Sequence, residues 1–151
     1  MKHRTALQLL FAASLLVATC ARGQAPAPRR IVISIPTRTL TVVEGERVVK
    51  TFDIAVGKPS TPTPIGRFQV VNRIPHPIWC AHGKAVPPGK CNPLGTRWIG
   101  LSAKGYGIHG TNEPESIGKA VSHGCIRLRN SDVEELFGLV DTGSEVELIG
   151  S

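Results

Sequence analysis

Proline placement limits this chain more than any other feature. Its 12 prolines and 16 glycines are spread so that few stretches are long enough for a helix. Proline lacks an N–H and clashes with the preceding turn, so it ends helices and keeps to sheet edges. The runs in between are short and β-branched, and they read as strands. Residues 31–35 are one. Residues 39–43 and 47–56 flank Glu44-Gly45-Glu46, a hairpin turn. Pro59, Pro62 and Pro64 make 57–64 a loop, and 67–71 resumes as a strand. Residues 75–94 hold five prolines and read as irregular. Residues 98–101 and 106–109 are two further short strands. A single stretch carries a helix signal. Ser131 and Glu134 fit a capping box, and Val133, Leu136, Phe137 and Val140 share one face. Gly143 follows the end of that helix, and 145–149 alternates as a closing strand with Val146 and Leu148 inward. The expected fold is mainly β, a small sandwich or barrel-like sheet with one helix near the C-terminus.

The first residues read as an export signal. Lys2 and Arg4 precede an apolar run over 6–17, and small residues follow at 18–23. The run is shorter than the roughly 20 residues that a spanning helix needs. The expected division is a cleaved signal over 1–23, a Pro-rich linker over 24–30, and a folded domain over 31–150. Lipidation at Cys20 is the alternative to simple cleavage. Three basic residues and no acid leave with the signal, so a net charge of +7 becomes +4. That mild excess suits an anionic envelope polymer and falls short of a nucleic-acid footprint. Periplasm or cell envelope is the expected location.

Cys80, Cys91 and Cys125 remain after cleavage. In an oxidising compartment two would pair and leave one over. Cys125 stands in Ser122-His123-Gly124-Cys125-Ile126-Arg127, and Ile108-His109-Gly110-Thr111 lies upstream. A thiol needs a base to become a nucleophile, and the oxyanion it generates needs donors. His123 is two residues away and can share a strand face with Cys125. His109 ends a predicted strand and can reach it across a sheet. Spacing alone does not choose between them. Gly124 permits close backbone approach, and the N–H groups of Gly124 and Cys125 are candidate oxyanion donors. Arg127 falls on the Cys125 face of an extended strand, placed to hold a substrate carboxylate. Singly these are a buried thiol, structural histidines and a surface charge. Together they favour acyl transfer.

These motifs, with Ser116-Ile117-Gly118, Val56-Gly57-Lys58, Thr61-Pro62-Thr63-Pro64-Ile65-Gly66-Arg67-Phe68, Asn92-Pro93-Leu94-Gly95 and Trp98-Ile99-Gly100-Leu101, closely resemble the L,D-transpeptidase (YkuD-type) catalytic domains. The likeness runs over about 31–149. It implies an enzyme of peptidoglycan stem tetrapeptides, in which Cys125 forms a thioester with loss of D-alanine and an amine resolves it into a cross-link. His109 is then the general base, and Ser122, His123, Gly124 and Arg127 line the oxyanion and substrate region. The resemblance implies no cofactor and no metal. An envelope lipoprotein is a further possible acceptor. Hydrolysis of the same thioester, giving an L,D-carboxypeptidase, and a silent wall-binding module are the alternatives.

His76, Cys80, His82 and Cys91 include zinc-ligand types but lack the paired spacings of common structural sites. Export favours a Cys80–Cys91 disulfide instead, worth roughly 3 kcal/mol on chain-entropy grounds. Trp79 and Trp98 are expected in the core or as groove walls.

Overall fold

The structure, a computed structural model, describes residues 27–150; the predicted signal and Cys20 lie outside the described residues. In chain order the strands are β1 (Arg29–Ser34), β2 (Thr39–Glu44), β3 (Arg47–Asp53), β4 (Val56–Gly57), β5 (Gly66–Pro75), β6 (Trp79–Ala81), β7 (Lys84–Val86), β8 (Arg97–Leu101), β9 (Gly107–His109), β10 (Ala120–Ser122) and β11 (Ile126–Arg127). Helix α1 (Asn130–Leu139) and strand β12 (Glu145–Ile149) complete the chain, and a 3₁₀ turn spans Pro114–Ser116. The protein is mainly β, a curled half-barrel with one helix.

Eight strands make one sheet in the order β11-β9-β8-β5-β12-β1-β2-β3. Two-residue alternation explains its faces. Ile31 and Ile33 of β1, Leu40 and Val42 of β2, and Val146 and Leu148 of β12 all point into one core and are at most 1% exposed. Val133 and Leu136 of α1 join the same core, the helix packing against β8 and β9. The sheet curls until its ends nearly meet. Ala55, just past edge strand β3, bridges Arg127 of the opposite edge strand β11 through two backbone hydrogen bonds of 2.9 and 3.0 Å. The predicted loop over 57–64 adjoins this seam. Its Thr61 hydroxyl donates to the Ser122 carbonyl (3.0 Å), and the Thr63 hydroxyl accepts from Gly57 N–H (2.8 Å).

Several expectations need correction. β1 begins at Arg29, inside the residues read as linker. The helix is where the sequence places it, yet Ser131 is not its cap: Arg129 holds the cap position and no side chain caps it. The Asn130 amide instead ties the helix start to the neighbouring loops. Its Oδ1 accepts from Thr96 and Thr111 N–H (3.3 and 3.1 Å), and its Nδ2 donates to the Thr111 carbonyl (3.1 Å). The segment over 75–94 is not wholly irregular, because β6 and β7 pair as a hairpin. Its turn places His82 and Gly83 at φ +51° and +73°, the two left-handed residues that a two-residue hairpin needs.

The expected Cys80–Cys91 bridge is absent: both thiols are free and exposed. The Asn92 side chain closes this loop instead. It is fully buried, and its Nδ2 donates to the carbonyls of Pro77, Val86 and Pro87 at 2.8, 3.1 and 3.2 Å. Its Oδ1 accepts from Leu94 N–H at 2.8 Å. Prolines leave carbonyls with no strand partner, and one amide gathers them. Asn92→Ala is therefore expected to cost about 1–3 kcal/mol by denaturant titration, since it strands buried carbonyls. Cys80→Ser touches none of these bonds and is expected to stay within about 0.5 kcal/mol of the wild type.

Candidate active site

The site grows from the parallel pairing of β11 on β9, with Ile126 opposite Ile108 and Arg127 opposite His109. Ile108 and Ile126 are fully buried in the core. Alternation then sends Gly107, His109, Cys125 and Arg127 to the other face, together. Cys125 lies level with Gly107, one step along the seam from His109. The register thus brings the thiol, which immediately precedes β11, to the face of β9 that carries His109. His123 is exposed at the tip of the turn that precedes Cys125.

That turn is built by Ser122. Its hydroxyl donates to the Cys125 carbonyl (2.6 Å) and accepts from Gly124 N–H (3.0 Å). Ser122 is 1% exposed, so it shapes the turn from inside. The Gly124 N–H is thereby engaged within the turn, whereas the sequence reading offered it to an oxyanion. Gly124 has φ +111°, and a Cβ there would lie 2.6 Å from the Tyr106 ring. Any side chain at this position clashes.

His109 is 5% exposed, and its Nδ1 lies 2.6 Å from the Gly110 carbonyl. A carbonyl only accepts, so in the neutral ring Nδ1 carries the proton and Nε2 the lone pair. Burial, aided by the nearby Arg127 charge and opposed by the Gly110 contact, lowers the His109 pKa to about 4. Burial raises the Cys125 thiol pKa, while the Gly107 backbone and Arg127 pull it back. The thiol makes a long 3.7 Å contact to the Gly105 carbonyl. At neutral pH the resting pair is uncharged, a thiol and an imidazole. Arg127 itself is held by Glu113 at 2.8 Å with its side chain 17% exposed.

An apolar groove of about 370 Å³ opens beside the sulfur, walled by Ile74, Ile78, Trp79, Leu94 and Trp98 and including Cys80. The surrounding sequence is one-sided in charge. No acid occurs between Asp53 and Glu113, the stretch that supplies β5 to β9. The arginines of that stretch are matched by acids from outside it: Arg67 by Glu147, Arg73 by Asp141 and Arg97 by Glu134. Lys58, Lys84, Lys90 and Lys104 form no ion pair among the described residues. This flank is cationic.

Sequence reasoning missed the supports. Trp98 stacks on His109, with ring centroids 5.8 Å apart and planes 19° apart, and its Nε1 donates to Asn72 Oδ1 at 3.1 Å. The signal was present as Trp98-x-Gly100 beside Gly107-x-His109, two alternations whose small members face the same way. Asn72 and Asn130 left no local pattern to read.

A thiol and a neutral imidazole on adjacent strands, beside an open groove, fit the class of cysteine acyl-transfer sites. The chain belongs to the L,D-transpeptidase catalytic domain family (YkuD), which matches residues 28–148. It is similar to the YkuD protein of Bacillus licheniformis (49% identical, covering 80% of this chain and 66% of that one). It is also similar to the YqjB protein of Bacillus subtilis (39%, covering 82% and 74%). Both carry L,D-transpeptidase names. A crystal structure of an Enterococcus faecium L,D-transpeptidase matches at TM-score 0.68 and 27% identity, covering 81% of this chain and 50% of that one. An L,D-transpeptidase from Mycobacterium smegmatis shares the fold at TM-score 0.69 and 22% identity, covering 82% and 59%. The chain thus spans about two thirds of the first relative and half to three fifths of these structures.

The buried neutral imidazole makes stability pH-dependent. An unfolded histidine titrates near 6.5 and His109 at about 4. Between these values the unfolded chain takes up a proton that the fold refuses, so stability is complete above pH 6.5 and falls as pH drops. The loss is expected to reach about 3 kcal/mol at pH 4 and to level off below it. His109→Gln, which does not titrate, is expected to remove that part of the slope in denaturant titrations between pH 7 and pH 4.

Proposed function

We propose that this protein is a cysteine acyltransferase of peptidoglycan stem tetrapeptides. The shared face of Cys125 and His109 on paired strands is the observation that carries the reading. Cys125 Sγ attacks the carbonyl on the L-centre of the third stem residue as its proton passes to His109 Nε2. The Cys125 N–H, at the edge of the Ser122–Cys125 turn, donates to the oxyanion. When the C–N bond breaks, the imidazolium gives its proton to the departing D-alanine nitrogen, leaving a thioester. An acceptor amine then attacks the thioester, His109 takes the amine proton, and the sulfur leaves and recovers a proton.

The electrostatics support this sequence of steps. A neutral pair avoids holding two opposite charges in a dry site until substrate arrives. An imidazolium that titrates far below 6.5 is a strong acid, suited to expelling an amine. The apolar groove accepts the aliphatic part of a stem residue, and the unpaired lysines favour a chain bearing carboxylates. Arg127, paired to Glu113, borders the Cys125–His109 face, and His123 lines its exposed rim. Thioester formation conserves the energy of the broken amide, so no nucleotide is required.

Export to the periplasm or cell envelope, directed by the segment over 1–23, belongs to the same reading, as does an envelope lipoprotein as a possible second acceptor. Intact mass of the secreted protein checks the cleavage.

The decisive experiment incubates purified protein with a disaccharide tetrapeptide and follows products and protein mass. Cross-linked dimers with a transient acyl adduct on Cys125 are expected. Tripeptide alone would mean hydrolysis, and no product would leave only a wall-binding module. Cys125→Ala and His109→Ala are each expected to lower turnover at least about 10³-fold while circular dichroism stays native. Retained turnover in either variant overturns the assignment of that residue. A carbapenem is expected to acylate Cys125, a reading encouraged by solved relatives described with imipenem and with a faropenem-derived adduct.

A further inference from the structure

We infer that Trp98 is a positioning residue that fixes the His109 ring and keeps water off it, and that Asn72, Gly100 and Gly107 shape this face to hold Trp98. The inference rests on the reading of His109 as the base. Trp98 stands opposite His109 in the antiparallel β8–β9 ladder, with Gly100 opposite Gly107. Both glycines therefore lie on the face that carries the two rings. A Cβ on Gly107 would sit 2.5 Å from two atoms of the indole. A Cβ on Gly100 would meet Asn72 Oδ1 at 2.4 Å and Trp98 Nε1 at 2.9 Å. Neither glycine has a left-handed φ, so the backbone does not demand glycine at either place. What demands it is the indole, which lies flat across both positions.

Asn72 completes the clamp. It follows an irregularity in β5, where the pairing to β8 shifts register between Val70 and Asn72. The shift brings Asn72 opposite Gly100, and its carbonyl oxygen takes the indole N–H. The indole is thus tied at one end, floored by two glycines, and stacked near-parallel on the imidazole. A ring held this way excludes water from one face of His109 and fixes its plane. The Gly110 carbonyl fixes its rotation about that plane.

Few other groups compete for control of His109. Arg127 faces it from β11, Cys125 from the turn just before that strand, and Glu113 pairs with Arg127 from outside. From β8 only Trp98 faces it, because Ile99 turns to the core. On α1, Glu134 is engaged by Arg97 of β8. Removal of the indole is thus the change that most alters the imidazole's surroundings without altering charge.

The test is the His109 titration, followed by NMR of labelled histidine, with the pH profile of Cys125 acylation beside it. In Trp98→Leu the His109 pKa is expected to rise from about 4 by at least one unit toward 6.5, and the acid limb of acylation to move with it. Trp98→Phe restores a flat ring and is expected to recover most of the wild-type titration. Asn72→Ala frees the indole, and Gly107→Ala displaces it; both are expected to shift the titration in the same direction by less. Should Trp98→Leu fail to fold, Asn72→Ala alters only an exposed side chain and carries the test alone. An unchanged His109 titration in a folded variant overturns the inference. Because the NMR readout needs no turnover, the result stands apart from the fate of the base assignment, which His109→Ala decides.

Discussion

The pairing of two very short parallel strands sets the chemistry of this protein. β11 contributes only Ile126 and Arg127 to the sheet, yet their register on β9 decides which side chains share a face. The buried pair Ile108 and Ile126 pins that register from the core side. A slip of β11 by one residue would send Ile126 to the groove and turn Cys125 inward, away from the face that carries His109. The cost of exposing that isoleucine, about 1.5–3 kcal/mol, holds the thiol on the face of the imidazole. The geometry of this face is enforced from behind, by packing.

The supports around this register are mostly amides and glycines. Ser122 closes the turn before Cys125, Asn130 ties the loop after His109 to the helix start, and Asn92 gathers the carbonyls that neighbouring prolines leave free. Each polar group satisfies donors or acceptors that a chain so interrupted cannot pair in ladders. Prolines and glycines cut the sheet into short pieces, and buried side-chain amides rejoin them.

That division also explains which parts were legible from the residues. Strands β1, β2, β8 and β12 advertise themselves by alternation, and the helix by a clear apolar face. Cys125 and His109 stood out because a thiol and two imidazoles cluster among glycines. Spacing did not separate His109 from His123, and the two sit differently in the fold: His109 is buried on β9, and His123 is exposed at the tip of a turn. The capping box misled because Ser131 and Glu134 have the right spacing, while Asn130 had already tied the helix start to two loops. The hairpin β6–β7 was hidden by the prolines on either side of it, Pro77, Pro87 and Pro88, and its His-Gly turn is not among the commonest hairpin signals. The Cys80–Cys91 bridge was inferred from compartment, and Asn92 meets the same need without oxidation.

The uncharged resting state of the site has a consequence for the lifetime of the enzyme. Peroxides and other soft oxidants attack thiolates, and a thiol raised above its ordinary pKa offers them little. Cys125 sits at an open groove, within reach of small molecules, and its burial favours the protonated form. Low thiolate character is the property that shields a sulfur at such an opening from sulfenic and sulfinic oxidation.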